Sequence, residues 1–305
     1  MHGWHPVCEW HMHLGKVRMR IPAAILVACF ISLGWSTSAD STINLTNRFA
    51  YGANIGWVDA RADGTNGAVI GDYVCSGFLY SANVGWINLG SGSPTNGIQY
   101  QNLDASDFGV NQDGVGNLRG YAWGANIGWL NFEATGAPRF DLATGLFSGN
   151  VWSANCGWIS LSNAVARIQT DTLFPGILDA NGLPLAWELL YFGMTNVDPN
   201  GDADGDGVTN YAEYLAGTNP RDPGDFLRIV NFSPTPDGTS ASLAWTSVPN
   251  RFYRLQDTTD LAGAAWADSP LGLIFPDGAL TARTFNESAA PTRFYRVLAI
   301  RPLSP

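Results

Sequence analysis

FAYGANIGWVDA (residues 49–60) returns three more times in this chain, as FLYSANVGWINL (78–89), YAWGANIGWLNF (121–132) and NVWSANCGWISL (150–161). The shared core is an aromatic residue, a small residue, then Ala-Asn-x-Gly-Trp. Its tryptophans stand at 57, 86, 129 and 158, with gaps of 29, 43 and 29. A two-segment unit is therefore duplicated with an offset of 72 residues. The duplication extends past the core, because VIGDYVCSGFLYSANVGW (69–86) and FDLATGLFSGNVWSANCGW (140–158) align on their Ser-Gly pairs. Repetition of this kind makes each unit one supersecondary piece that buries a face against its neighbours.

Each unit reads as strand, turn, strand. Tyr121 and Trp123 are two apart and share a face. Gly124-Ala125-Asn126-Ile127-Gly128 carries turn chemistry: glycine allows positive φ and asparagine hydrogen-bonds nearby backbone. VIGDY and PRFDL read as further short strands. Residues 42–168 are thus expected to hold roughly eight antiparallel strands, as a barrel, sandwich or short solenoid. Trp57, Trp86, Trp129 and Trp158, fixed in place in every unit, are expected in the core. The other ring of each unit (Tyr51, Tyr80, Trp123 and Trp152) is a candidate platform for a sugar face. Such arrays resemble those of uncharacterised secreted bacterial proteins, a resemblance that implies no activity.

Composition bounds the partners. The chain has 305 residues, rich in Gly and Trp and poor in charge. Lys16, Arg18 and Arg20 precede the apolar run IPAAILVACFISLGW (21–35), with small residues at Thr37 and Ala39. This is the pattern of a secretory signal cleaved after Ala39; the run is short for an uncleaved anchor. Residues before Lys16 read as an upstream extension, with Met12 and Met19 as alternative starts. Cleavage removes all four histidines, the single lysine, Cys8 and Cys29. The remainder has thirteen arginines against twenty-five carboxylates, a net charge of −12. Nucleic acid is excluded as a partner on charge, and no membrane span remains. Histidine-dependent triads and zinc sites are excluded with the histidines. Cys75 and Cys156 are left as a possible disulfide in an exported chain, with two buried thiols as the alternative.

GDADGDGVTNYAE (201–213) crowds Asp202, Asp204, Asp206 and Glu213 into one short stretch. At ~6 Å apart each pair of carboxylates repels by roughly 1–3 kcal/mol. An EF-hand-type loop explains the spacing: side-chain oxygens at positions 1, 3 and 5, Gly at 6, a carbonyl at 7, a water-linked ligand at 9 and Glu at 12. Here these are Asp202, Asp204, Asp206, Gly207, Val208, Asn210 and Glu213, so calcium is the expected cofactor. Asp198 and Asn200 continue the alternation and are candidates for a second ion. Counting back from Glu188 gives a degenerate loop with Asp179 and Asn181. Ile177 and Leu185 occupy two of its ligand places, so little calcium is expected there. PLAWELLYFG and NYAEYLAG read as short helices, opened by Pro184 in a first turn and ended by Gly193 and Gly217. Trp187, Leu190 and Tyr191 are expected to pack on Tyr211, Tyr214 and Leu215.

LPLAWELLYFG followed by DPNGDADGDGVTNYAEYLAGTNPRDP resembles dockerin-like or thrombospondin type 3-like calcium modules over about residues 177–224. The resemblance implies calcium at the positions named, while Ile177 and Leu185 depart from a two-loop dockerin. The segment reads as a calcium-stiffened spacer. From 226 onward, LRIVNF, ASLAWTS, FYRLQD, ALTARTF and RFYRVLAI alternate, separated by turns such as 236–238 and 276–278. This predicts a small β-sandwich and resembles fibronectin type III-like modules. Trp245 and Trp266 are expected in its core, with Arg254, Arg293 and Arg296 pairing surface acids.

The expected organisation is mainly β: a signal with its extension (1–39), a β repeat domain (42–168), an EF-hand-like calcium spacer (170–224) and a β-sandwich (226–303). A non-catalytic protein of the cell surface or extracellular matrix fits it first. Carbohydrate binding, with polysaccharide or cell-surface components as partners, is the alternative. A glycosidase would need two placed carboxylates; Glu133 and Asp141 are candidates that no spacing singles out.

Overall fold

A computed structural model describes residues 40–63, 65–235, 239–262, 265–286 and 293–304. The secretory signal expected over 1–39 and the turn expected at 236–238 lie outside these residues. The described chain is mainly β, with two short helices.

Each repeat forms one hairpin. Its strands are Ile43–Gly52 with Gly56–Asp59, Phe78–Ser81 with Gly85–Asn88, Leu118–Gly124 with Gly128–Phe132, and Asn150–Ser153 with Gly157–Ser160. The glycine before each tryptophan sits at positive φ, between 70° and 81° (Gly56, Gly85, Gly128 and Gly157). That is the left-handed residue closing a three-residue hairpin loop, and it explains why the position is always glycine. Successive hairpins pair through one or two residues each: Asp59 with Tyr80, Asn88 with Trp123, and Asn131 with Trp152. The fourth then pairs back on the first, Ser160 with Tyr51. The pairings thus run through eight strands and return from the last to the first.

The inside of the ring is aliphatic. Ala50, Leu79, Ala122 and Val151 point inward from the first strands, and Val58, Ile87, Leu130 and Ile159 from the second, all buried. Small and large residues alternate around the first set, which fills a narrow interior without overpacking. The turn end is closed by a ring of amides. Asn83 Nδ2 donates to the Ile55 carbonyl (3.0 Å), Asn126 to Val84 (3.1 Å), Asn155 to Ile127 (3.0 Å) and Asn54 to Cys156 (3.1 Å). The Asn of Ala-Asn-x-Gly thus ties every hairpin to the one before it, and the last tie closes the circle.

Helix α1 (Leu185–Phe192) has Pro184 at its N-cap, one residue earlier than the sequence suggested, and ends at Gly193. Helix α2 (Asn210–Ala216) is capped by the Thr209 side chain and ends at Gly217. Both terminal glycines are left-handed, as expected. Trp187 and Tyr214 meet with ring centroids 5.7 Å apart and are buried with Leu183. The other expected partners are displaced: Leu190, Tyr211 and Leu215 are exposed. Tyr73 of the repeat domain takes their place against this cluster.

Two three-stranded antiparallel sheets follow. One joins Ile229–Pro234, Ser240–Thr246 and Leu280–Asn286; the other joins Phe252–Thr258, Ala267–Asp268 and Phe294–Ile300. They share a core of Leu243, Trp245, Tyr253, Leu255 and Phe285. Trp266 is not in that core; it is half-buried under the Arg296 guanidinium, 4.3 Å from the ring centroid. Arg254 and Arg293 pair with Asp268 and Asp257, and Arg296 donates to Gln256.

The helical segment is wedged between its neighbours. Arg251, buried, donates to the Leu215 and Tyr214 carbonyls at the end of α2, both at 2.7 Å. These are carbonyls a helix end leaves without intrahelical partners. Arg301 pairs with Asp72 of the repeat domain and lies over the Tyr214 ring. Leu303 packs against the repeat-domain core. A spacer holding its neighbours apart would lack these contacts.

Candidate functional site

Three of the ligands expected at 202–213 come together, while Glu213 stands outside their group, near enough to feel the Asp204 and Asp206 charges. Asp202, Asp204 and Asp206 offer ligand oxygens all within 4.8 Å of one another, so this trio can hold a metal ion. Asp202 accepts from the Gly205 and Gly207 amides (2.7 and 2.9 Å), and Asp206 from Val208 (2.7 Å). Gly207 has φ +94°, a conformation that supports the turn and favours glycine. The hydrogen bonds from Gly207 and then Gly205 hold the Asp202 carboxyl below its ordinary range against slight burial.

Four oxygens in this loop are buried and accept nothing from the chain: Asp204 Oδ2, Asp206 Oδ2, Asn210 Oδ1 and Glu213 Oε2. Buried polar atoms are normally satisfied, and an unpaired acceptor costs about 1–3 kcal/mol. Four in one loop of the expected spacing are a donor set that fits a cation. Glu213 is fully buried at the start of α2. Burial, then the Asp204 and Asp206 charges, push its carboxyl up to about 7. A donor set made only of oxygens suits a hard ion with many ligands.

Asp198 and Asn200 are not in the cluster. The Asp198 carbonyl accepts from Asn210 Nδ2 (2.8 Å), and its carboxylate accepts from the Asn200 amide (2.9 Å). They close the base of the loop as turn residues and stand apart from the group of Asp202, Asp204 and Asp206. In the degenerate loop, Asp179 accepts from the Asn181, Gly182 and Leu183 amides, and Glu188 from Val197. Burial, then the Asp179 charge, raise the Glu188 carboxyl. Asp179 Oδ2 and Glu188 Oε2 are buried without partners, but Ile177 is exposed and supplies no ligand.

The aromatic residues depart from expectation. Trp57, Trp86, Trp129 and Trp158 are 41–48 % exposed, outside the ring rather than in its core. Each stands cross-strand from the second aromatic of its unit: Tyr51, Tyr80, Trp123 and Trp152 are 37–39 % exposed. The ring centroids of each pair are 4.8–5.3 Å apart. The physical reason is width: an interior of eight strands has no room for four indoles at one level. The signal was in the sequence. Val58, Ile87, Leu130 and Ile159 each follow a tryptophan, and alternation sends neighbours to opposite faces.

Cys75 and Cys156 are separate buried thiols, correcting the possible disulfide. Cys156 fills the turn end of the ring, and Cys75 lies on the short strand Cys75–Ser76. Burial raises the Cys75 thiol to about 12. Of the candidate acids, Glu133 accepts from Asn131 (3.3 Å), and Asp141 caps a turn through Ala143 and Thr144. No family model, curated protein or solved structure matches this chain. Function therefore rests on these residues alone.

Proposed function

We propose that this chain is an exported, non-catalytic calcium-binding protein of the cell surface or extracellular matrix. In this reading Asp202, Asp204, Asp206, Val208, Asn210 and Glu213 hold one calcium ion. The ion stiffens a joint between the hairpin ring and a fibronectin type III-like sandwich. The dockerin-like or thrombospondin type 3-like assignment of 177–224 belongs to the same proposal. The observation that carries it is the group of four buried oxygens without donors. A cation offsets their mutual repulsion and supplies the missing contact. Calorimetric titration of the metal-stripped protein with CaCl2 tests it. One site should appear and vanish in Asp204→Ala, and saturation at 1,000 times Kd should add about 4 kcal/mol to stability. A titration without binding, or identical melting in calcium and chelator, would refute it.

The second reading is carbohydrate binding, favoured by the eight exposed rings. Rings with an apolar face and a polar edge suit a ligand that is itself part apolar and part hydroxyl.

A further inference from the structure

The ring of hairpins is nearly fourfold, with one asymmetry. The third tryptophan follows the second by 43 residues instead of 29, and the additional chain lies against the third hairpin. There it encloses an open cleft of about 430 Å³. Trp129 and Tyr121 form one wall; Leu103, Asp104 and Phe108 from the inserted chain form the other. Phe108 packs edge-on to Trp129 at 5.1 Å, so this tryptophan is buttressed by the insert as well as by Trp123 at 4.8 Å. It still presents 41 % of its surface. Leu103, at the rim, is 86 % exposed.

The insert is held in one shape. The buried Asp107 carboxylate accepts from the Thr95 amide (3.1 Å), the Thr95 hydroxyl (2.9 Å) and the Gln101 amide (3.0 Å). Asn102, left-handed at φ +55°, accepts from the Gly109 amide (3.0 Å) and returns its own amide to the Asp107 carbonyl (3.0 Å). The Tyr100 ring lies so close to Gly109 that an added Cβ would sit 2.2 Å from it. A wall fixed this way loses little conformational entropy on binding.

The lining has a definite chemistry. Asp104 accepts from the Ser106 hydroxyl (2.6 Å) and amide (2.8 Å), which hold its carboxyl below the ordinary range. One carboxylate oxygen is engaged and the other is available as an acceptor. Among the described residues, no basic side chain lines the cleft. An anionic ligand would meet a negative charge with no cation to offset it. A ligand rich in hydroxyl donors, with flat apolar faces and no charge, complements both the ring and the acid.

Building on the carbohydrate reading, we infer that this cleft binds a segment of neutral polysaccharide, with Trp129 as the stacking platform and Asp104 accepting from sugar hydroxyls. It is the specific subsite of an otherwise repetitive surface. The long insert that supplies the second wall precedes the third hairpin alone among the intervals between repeats.

The test is retention of the full chain on insoluble cellulose, xylan and β-1,3-glucan, against alginate and polygalacturonate as acidic polymers. Retention is expected on at least one neutral polymer. Trp129→Ala and Leu103→Arg should each weaken it tenfold or more, Trp57→Ala, the matching ring of the first hairpin, should weaken it less, and Leu45→Arg, exposed on the first strand away from the rings, should leave it unchanged. Leu103 is exposed, so its variant reports on the cleft even if Trp129→Ala folds poorly. Equal loss in Trp57→Ala would overturn the cleft and leave the carbohydrate reading standing. So would retention that survives both cleft variants. Preference for the acidic polymers would overturn the neutral assignment. No retention on any polymer would overturn both the cleft and the reading beneath it. A concentration-dependent dimer in sedimentation that Trp129→Ala dissolves would assign the cleft to a second copy of the chain and overturn the proposal.

Discussion

Calcium binding to this loop should release a proton, and the amount is set by Glu213. Its carboxyl stands at about 7 instead of 4.5 because it is buried beside Asp204 and Asp206. The folded, metal-free chain therefore holds this proton more tightly than the unfolded chain does. For this group the metal-free fold is most stable in acid and loses stability as pH rises from 4.5 through 7. Calcium requires the carboxylate, so below 7 it must displace the proton. With one such group, apparent affinity should fall roughly tenfold from pH 8 to pH 6 and roughly 90-fold from pH 8 to pH 5. Proton release should be about 0.9 per ion at pH 6 and about 0.1 at pH 8. Titration calorimetry in buffers of different ionisation enthalpy measures both. In Glu213→Gln the pH dependence should flatten and the affinity should drop. Affinity that stays level between pH 5 and 8 in the unmodified chain, or no proton release at pH 6, would refute this account of Glu213.

Three further outcomes follow from the ring and the joint, each readable by urea denaturation. Gly124→Ala should destabilise by about 1–3 kcal/mol, because its Cβ would lie 2.7 Å from Ile127 Cγ1; adding Ile127→Val, which copies the second hairpin, should recover part of the loss. Asn54→Ala should cost about 1–2 kcal/mol and Asn155→Ala about half that, because Ser153 also donates to the Ile127 carbonyl whereas Gly52 has no hydroxyl for Cys156; equal costs would refute the assignment. Arg251→Leu should cost about 3 kcal/mol or more by leaving the Tyr214, Leu215 and Asn250 carbonyls without their donor, while calcium affinity changes little.

What the sequence revealed follows the range of each interaction. The group of Asp202, Asp204 and Asp206 was legible because its members come from five consecutive residues, so spacing encodes geometry directly. The hairpins were legible for the same reason: Gly56 and its equivalents close turns only three residues long. The tryptophans misled because their face depends on the bore of a ring closed by Tyr51 and Ser160, more than a hundred residues apart. Fixed position within a repeat distinguishes structural from variable places, but not inside from outside. The joint was hidden for a similar reason. Nothing near Arg251 in the chain announces that its partners are the carbonyls of residues 214 and 215. Nor does Arg301 announce Asp72, 229 residues away.

The 72-residue duplication also acquires a physical cause. At the turn end, the first and third hairpins place Gly52 and Gly124 beside Ile55 and Ile127, while the second and fourth place Ser81 and Ser153 beside Val84 and Cys156. The glycine hairpins accommodate the long side chain because an added Cβ at Gly52 would lie only 2.9 Å from Ile55. The serine hairpins have the shorter side chain and use the hydroxyl on the preceding carbonyl, Ser81 on Ile55 and Ser153 on Ile127. Four isoleucines would overfill this end, and four small residues would leave a void; both are destabilising in a close-packed core. An alternating pair is the smallest unit that fills a fourfold opening with two sizes of plug. The unit that is copied is therefore two hairpins and not one. The outer aromatics follow the same division, with Tyr51 and Tyr80 in the first copy and Trp123 and Trp152 in the second. Packing constrains the inside of the ring, while the outside is free to diverge, and it is on the second copy that the larger rings and the cleft have accumulated.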